Sequence, residues 1–314
     1  MTRTHLHLVF AAPADPPVLA AVSRWPGVRV SEHPPLGGAA LGTAAAGADV
    51  LITRSSQRVD RAVFEAARGR ELVVVQASSG HDNIDHAAAE ELGVRVVIVD
   101  PGNARAVAEL TLLSLLALAR GIREHWQHTA AGAWPDRERL DEREIAGKTL
   151  GLVGLGRVGT RIADLAAAMK MRVLAVDPYI PAQRFERHRA LAVDSLEQLL
   201  PELDFLSLHC PLTDETRGMI DARRLALLPR GAMLVNTARG AIVDETALLA
   251  ALDEDDLAGA AIDVYREEPP RQAQLVAHPR VLATPHMGGH TRESHEARAS
   301  HLLEALEAIV RNRG

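Results

Sequence analysis

Residues 148–159 read KTLGLVGLGRVG, an apolar run that turns directly into the spacing Gly154-x-Gly156-x-x-Gly159. Glycine-rich turns are common, so the spacing alone is a weak signal. Here it follows a strand-like run and opens a helical segment, Arg157 to Met169, after which a second strand-like run, Met171 to Val176, ends in Asp177. Asp177 lies 177 − 159 = 18 residues past the last glycine, the offset expected of a βαβ dinucleotide unit. Gly154 permits the tight turn, Gly156 lets backbone approach a pyrophosphate, and Gly159 lets helix pack closely on strand. The helix N-terminus, with Arg157 and Val158 in its first turn, presents unpaired N–H groups to phosphates. A carboxylate at Asp177 would accept hydrogen bonds from ribose hydroxyls and repel a ribose phosphate, favouring NAD over NADP. The stretch predicts a doubly wound α/β domain that holds NAD.

Downstream, the strand-and-helix alternation continues. Strand-like runs fall at Phe205–His209, Ala232–Asn236, Gly259–Asp263 and Val281–Ala283. Upstream, short β-branched runs at His7–Phe10, Val28–Val30, Val50–Thr53, Leu72–Val75 and Val94–Val99 are separated by helical patterns near Pro16–Arg24, Asp60–Arg68 and Asn83–Leu92. The alanine-rich patch Gly37–Ala48 reads as a small-residue helix or loop. Alternation of this kind predicts two mostly parallel sheets covered by helices. Asp100-Pro-Gly-Asn103 interrupts the first series and a long helix starts near Ala104. Residues 137–143, RERLDER, read as a charged connector, and Thr291–Arg311 as an amphipathic helix carrying Leu302, Leu303, Leu306 and Ile309 on one face. Domain boundaries are expected near Asp100 and near His286.

At roughly 150 residues per domain, a chain of 314 residues accommodates two domains. A net charge of −6 lacks the footprint of a nucleic-acid binder. Leu110–Ala119 is a largely apolar stretch of ten residues where a membrane span needs ~20, so it reads as a buried helix segment. The N-terminal apolar part is too short for a signal peptide, and one cysteine, Cys210, excludes an internal disulfide and suits a reducing compartment. A cytoplasmic protein is expected.

Three segments carry polar residues just beyond apolar strands: Asn236-Thr-Ala-Arg-Gly240, Asp263-Val-Tyr-Arg-Glu-Glu-Pro269 and Thr284-Pro-His-Met-Gly-Gly289. Ligands sit at the carboxyl ends of strands in open α/β sheets, so Arg239, Glu268 and His286 are candidates to converge there. Their types suit hydride transfer to a ketone. The oxygen becomes an alkoxide and needs a proton, which a histidine supplies near neutrality. A glutamate beside it would favour imidazolium, and an arginine offers a planar fork to a carboxylate. Read blandly, Arg239 is a surface charge, Glu268 fills a loop and His286 caps a helix.

At these residues the chain resembles the D-isomer-specific 2-hydroxyacid dehydrogenases over nearly all its length. The segments that match are Gly80-His-Asp-Asn-Ile-Asp85, Pro101-Gly-Asn-Ala104 with Val107-Ala-Glu109, Gly151–Gly159, and the three strand-end segments, in the family's order. The resemblance implies an NAD-binding Rossmann domain, residues 100–286, inserted into a split flavodoxin-like substrate domain, residues 1–99 plus 287–314. It implies a catalytic Arg239, Glu268 and His286, and cofactor contacts at His209, Pro211, Thr237, Ala238, Gly288 and Asp263, the last at the nicotinamide carboxamide. Ser78, Ser79 and Gly80 fall where backbone amides hold the substrate carboxylate, with Asn103 on the substrate side. Family members are commonly homodimers through the nucleotide domain, with Ala104–Trp134 exchanged.

Within the family, PGNARAVAEL and Arg54 are closest to the phosphoglycerate dehydrogenases, where Arg54 would bind substrate phosphate. Gln76 stands where those enzymes carry a second phosphate-binding arginine, Ser78 replaces a glycine, and His81 adds a side chain at the substrate mouth. No C-terminal regulatory domain is expected. The function implied is NAD-dependent interconversion of a small 2-keto acid and its D-2-hydroxy acid, with 3-phosphoglycerate/phosphohydroxypyruvate as one substrate pair. A hydroxypyruvate/glyoxylate-type reductase is the alternative, and an NAD(H)-responsive, corepressor-like binding protein a further one. Formate chemistry is disfavoured because such enzymes pair the histidine with glutamine. No metal is expected, although His286, His290 and His295 are close in sequence, because Gly288 and Gly289 break a helix there. Cys210 reads as a structural thiol, His86 as surface or core, and Trp126 and Trp134 as dimer-arm or core anchors. Ser78-Ser-Gly80 lacks a nucleophile elbow, which argues against a serine hydrolase.

Overall fold

A computed structural model describes residues 5–78, 80–134 and 142–313. In chain order, β1 (Leu6–Phe10), α1 (Pro16–Val22), β2 (Val28–Glu32), α2 (Gly38–Gly47), β3 (Val50–Thr53), α3 (Arg61–Ala66), β4 (Val73–Gln76), α4 (His86–Glu91) and β5 (Arg95–Ile98) come first. They are followed by α5 (Ala104–Ala119), α6 (Ile122–Ala130), β6 (Thr149–Val153), α7 (Arg157–Ala168), β7 (Arg172–Val176), α8 (Ala182–Arg187), β8 (Leu191–Ala192), α9 (Leu196–Leu199) and β9 (Phe205–Leu208). The remainder is α10 (Ala222–Leu225), β10 (Ala232–Asn236), α11 (Glu245–Asp253), β11 (Leu257–Ile262), α12 (Ala273–Ala277), β12 (Val281–Ala283) and α13 (Arg292–Arg311). The chain divides into two compact units, Met1–Asn103 with Thr291–Gly314, and Ala104–His290.

The first unit holds a five-stranded sheet in the order β2-β1-β3-β4-β5, all strands parallel. Successive residues of a strand face opposite ways, and both faces are buried. Leu8, Phe10, Val50, Ile52, Val73 and Val75 point to one core, which Val18 and Val22 of α1 and Leu302, Leu306 and Ile309 of α13 complete. Val9, Leu51 and Val74 point to the other, against Leu41 of α2, Phe64 of α3 and Ala88 of α4. The alanine-rich patch is therefore a helix, α2.

The second unit holds seven parallel strands in the order β12-β11-β10-β9-β6-β7-β8. Strand order reverses between β6 and β9, which opens a crevice at their carboxyl ends. Leu150 and Leu152 of β6 pack with Leu115 of α5 and Ile162 of α7 on one face, while Leu206, Leu234 and Ile262 pack with Leu248 of α11 on the other.

Strand β8 was not expected: it is two residues long with both side chains exposed, too short to show a period. The long helix breaks at Gly121, whose φ of 55° is left-handed, and resumes as α6. Leu110–Ala119 is buried on one side only, since Leu113 is 59% exposed. Trp126 and Trp134 are exposed at 70% and 77%, which removes the reading of them as core anchors within the chain. Residues 137–141 of the charged connector lie outside the described residues. Among the described residues, no helix is long and apolar enough to cross a membrane.

Candidate active site

Every candidate catalytic residue of the second unit follows a parallel strand. Beyond β10, the Asn236 side chain builds the turn that carries Arg239: its Nδ2 donates to the Arg239 carbonyl at 2.9 Å and its Oδ1 accepts from Ala238 N at 3.1 Å. Thr237 lies 3.0 Å, hydroxyl to hydroxyl, from Thr111 of α5. A Cβ on Gly240 would fall 1.9 Å from the Tyr265 carbonyl carbon, so this turn lies directly on the loop after β11.

That loop is organised by Asp263, which is buried. Its carboxylate accepts from the Thr284 hydroxyl at 2.7 Å, from Met287 N at 2.8 Å and from Gly288 N at 2.8 Å. Three donors from the loop after β12 thus converge on one side chain, and the Tyr265 hydroxyl adds a bond to the Thr284 carbonyl at 2.9 Å. Between these anchors His286 is held at φ 53°, a left-handed backbone uncommon for residues other than glycine. The resemblance implies that Asp263 binds the nicotinamide carboxamide; within the protein its carboxylate fixes the histidine loop.

The anchored His286 presents Nδ1 to Glu268, 2.9 and 2.8 Å from the two carboxylate oxygens. Glu268 Oε1 also accepts from Tyr265 N at 3.2 Å. The Glu268 hydrogen bond raises the His286 pKa above its ordinary value, against a lowering by burial, with the Glu268 and Asp263 charges assisting. Burial would raise Glu268, but the hydrogen bond and charge of His286, the Tyr265 N–H and the Arg239 charge outweigh it and hold the carboxyl below its usual range. The Arg239 charge is the smallest of the influences on both members of the pair. Both side chains are about two-fifths exposed, at 43% and 41%, and His286 Nε2 makes no hydrogen bond to any described residue. The unit thus holds an imidazole oriented by a carboxylate at Nδ1, with the turn that carries Arg239 packed on the same loop.

At the crevice, Gly154 adopts φ 94°, and a Cβ there would fall 2.9 Å from the backbone of His209 and Cys210. A Cβ on Gly159 would fall 2.2 Å from the Gly154 carbonyl oxygen, so α7 packs on the turn itself. Around Gly156, by contrast, nothing lies within 4 Å of an added Cβ, and no side chain caps α7. Asp177 accepts from Leu155 N at 2.8 Å, which brings the acidic residue against the glycine turn. A cavity of about 600 Å³ is lined by Gly154, Gly156, Asp177, Tyr179, His209 and Pro211, among others. Open backbone N–H groups, a carboxylate at the ribose position and this volume fit a dinucleotide. Burial pushes the His209 pKa down to about 4, so the ring is neutral at physiological pH and shares a 2.9 Å hydrogen bond with the Ser207 hydroxyl. The Cys210 thiol is pushed up to about 11, again by burial, which suits packing rather than nucleophilic attack.

Arg54, Ser78, Gly80, His81 and Asn103 belong to the first unit; Ser79 lies outside the described residues. Gln76 is fully buried and ties the loops after β3 and β4 together. Its Nε2, with two N–H groups, lies 2.8–2.9 Å from three acceptors, Ser78 Oγ, Gly80 O and Asn83 Oδ1, and its Oε1 accepts from the Thr53 hydroxyl at 2.7 Å. Asn83 in turn donates to the Arg54 carbonyl at 3.2 Å. Arg54, Ser78 and Gly80 are thereby brought to one end of the sheet, while exposed His81 lies 2.9 Å from His86 instead. The anchors Asn83, Asn236 and Thr284 lie in segments that carry the family resemblance, but nothing in the sequence marks their side chains as the ties that hold those loops.

A profile of the D-isomer specific 2-hydroxyacid dehydrogenase family, NAD binding domain, matches residues 112–288. A D-3-phosphoglycerate dehydrogenase of Methanocaldococcus jannaschii is 40% identical over 264 residues, 84% of this chain and 50% of the relative. The chain spans about half the length of the curated relatives it matches. Among solved structures, the TT0316 protein of Thermus thermophilus is 35% identical with a TM-score of 0.86 and 98% of each chain covered. A glyoxylate reductase of Paecilomyes thermophila is 25% identical with a TM-score of 0.88, over 98% of this chain and 95% of that one. With a matched family profile over more than half its length, this chain belongs to the D-isomer specific 2-hydroxyacid dehydrogenase family and carries its NAD-binding domain.

Proposed function

We propose that the chain is an NAD-dependent oxidoreductase that interconverts a small 2-keto acid and its D-2-hydroxy acid. The observation that carries this reading is the Glu268–His286 pair, with Arg239 on the turn after β10, at the carboxyl ends of β10 to β12. Residues 100–286 are assigned to the cofactor and residues 1–99 with 287–314 to the substrate. Gly154, Gly156, Arg157, Val158 and Gly159 would hold the pyrophosphate, Asp177 the ribose, and His209, Pro211, Thr237, Ala238, Asp263 and Gly288 the nicotinamide end. When bound, the nicotinamide supplies a hydride to the keto carbon or accepts one from the hydroxy carbon.

Arg239 grips the substrate carboxylate and polarises the keto oxygen. His286 Nε2 donates its proton to that oxygen as it gains negative charge, and accepts it back in the oxidative direction. Glu268 stabilises the imidazolium through Nδ1 and fixes which nitrogen faces the substrate. Ser78, Ser79, Gly80, His81 and Asn103 are assigned to the rest of the substrate, and Arg54 to a group distant from the keto acid.

The test is NADH oxidation with glyoxylate, hydroxypyruvate, phosphohydroxypyruvate and 2-oxoglutarate, with Arg239→Ala as the control. His286→Ala is expected to lower turnover by ~10²–10⁴-fold; undiminished turnover would remove the mechanism. A second reading, a reductase of short unphosphorylated acids, draws support from Gln76, whose buried amide is fully engaged. We place the enzyme in the cytoplasm, consistent with a thiol at Cys210. A homodimer through the nucleotide domain is supported by exposed Leu113, Ile122, Trp126 and Trp134. A monomeric mass by sedimentation at micromolar concentration would overturn the dimer.

A further inference from the structure

The five strands of the first sheet run parallel, so Arg54 and Gln76 lie at their carboxyl ends and their amino ends form the opposite edge. At that opposite edge a cavity of about 350 Å³ opens where β4 and β5 begin and α13 ends. Val73 and Arg95, the first paired residues of β4 and β5, stand side by side there. The floor is apolar: Leu72 reaches into one core of the unit, Val73 and Ile309 into the other, and all three are buried. The rim is charged, with Arg70, Arg95 and Arg313 set against a single acidic residue, Glu71.

These three arginines differ from Arg54, Arg61 and Arg298 of the same unit, each of which meets a carboxylate. Arg313 donates to two backbone carbonyls instead, Nη1 to Asp49 at 3.4 Å and Nη2 to Glu71. Those carbonyls fix its guanidinium at the amino ends of β3 and β4 without cancelling its charge. Arg70 and Arg95 are exposed and make no hydrogen bond or ion pair to a described residue. The cavity therefore carries a net positive charge over an apolar floor, in a chain whose overall charge is −6. Like charges gathered in one place repel, and an oxyanion seated among them offsets that cost. The lip beside Arg95 is open backbone: Gly93 adopts φ 68°, and nothing lies within 4 Å of an added Cβ. The volume falls at the lower end of the ~300–1,000 Å³ range of small-molecule sites, which points to a small ligand.

We propose that this cavity is a binding site for a small polyanion, held by Arg70, Arg95 and Arg313. Phosphates and polycarboxylates share the required chemistry, several acceptor oxygens that take charge-assisted hydrogen bonds from guanidinium forks. The ligand acts as an effector of the first unit, since it sits at the far end of the sheet from Arg54 and Gln76. It ties the starts of β4 and β5 to the last turn of α13 and stabilises the unit by mass action. Nothing in this placement depends on the reaction proposed above, because every lining residue belongs to the first unit.

The test titrates pyrophosphate, and separately citrate, calorimetrically into the full chain saturated with NADH, which keeps the glycine turn after β6 from taking the probe. At least one probe is expected to bind, and the tighter of the two separates phosphate from carboxylate as the group recognised. Arg70→Gln and Arg95→Gln change exposed side chains and are each expected to weaken that binding by about tenfold or more, whereas Arg54→Gln leaves it unchanged. Hydrogen exchange locates the probe without any substitution: protection should rise at the starts of β4 and β5 and in the last turn of α13. Failure of both probes to bind overturns the site. So does binding that survives in Arg70→Gln and Arg95→Gln, or that falls equally in all three variants and so reports only the general charge of the surface. Protection gained only at the carboxyl ends of the first sheet would put the anion beside Arg54 and likewise sink the proposal.

Discussion

Neighbours at three distances along the chain set the state of His286. Glu268 sets its charge, Asp263 sets the loop on which it sits, and Arg239 opposes its protonation. In the proposed mechanism, reduction of a ketone needs protonated His286, so its rate should fall as pH rises through the raised His286 pKa; oxidation needs the neutral ring and should rise over the same interval. Glu268→Gln removes the first cause of that raised pKa, and both limbs should move to lower pH, read from kcat/KM profiles. Limbs that stay in place would separate Glu268 from proton transfer. The same pair makes stability depend on pH. Its His286 contribution is complete below ~6.5 and fades as pH rises through the higher folded value, and its Glu268 contribution is present above ~4.5 and lost as pH falls through the lower folded value. What the sequence makes legible here is residue type and place: an arginine, a glutamate and a histidine just past apolar strands. It does not reveal that Asp263 spends its carboxylate on donors 21 to 25 positions away, or that Gln76 is a loop anchor, since such pairings are set by tertiary packing.

At the scale of elements, the turn from β6 into α7 shows which part of a motif serves packing and which serves a ligand. An added methyl at Gly159 would strike the Gly154 carbonyl at 2.2 Å, whereas one at Gly156 meets nothing. Gly159→Ala should therefore destabilise the nucleotide unit by ~1–3 kcal/mol through overpacking. Gly156→Ala should shift stability by no more than ~1 kcal/mol while weakening NADH binding tenfold or more, because the methyl occupies the path of the pyrophosphate. Denaturant melts and NADH fluorescence titrations read the two effects separately. Full NADH affinity in Gly156→Ala would show that no phosphate approaches there. Strong periodic elements such as α7 and α13 are legible because burial on a fixed face imposes their pattern, and β6 because burial on both faces makes it a continuous apolar run. Strand β8 is not, as two exposed residues at a sheet edge have no buried face to impose one. The break between α5 and α6 rests on a single left-handed glycine inside an otherwise helical run.

At the scale of the molecule, the chain returns at its end to complete the unit with which it began. Leu306 of α13 is fully buried beside Val18 and Val22 of α1 and the β1 residues Leu8 and Phe10, nearly three hundred positions upstream. Amphipathicity makes α13 legible as a helix, but its destination follows from which apolar face lacks a cover: one side of the first sheet has only α1 of its own. Leu306→Ala should cost ~2–5 kcal/mol, the range for a large buried side chain replaced by a cavity. The loss should fall on the first unit, because no described residue of the second unit belongs to that core. Urea melts followed by hydrogen exchange should show lowered protection in β1 and β3 while β6 and β9 keep theirs. NADH binding, a property of the second unit, should persist at denaturant concentrations where turnover of a 2-keto acid has already failed. Simultaneous loss of protection in both sheets would instead mean that the two units unfold as one cooperative body. Such coupling would make every stability effect in the first unit an effect on the second as well.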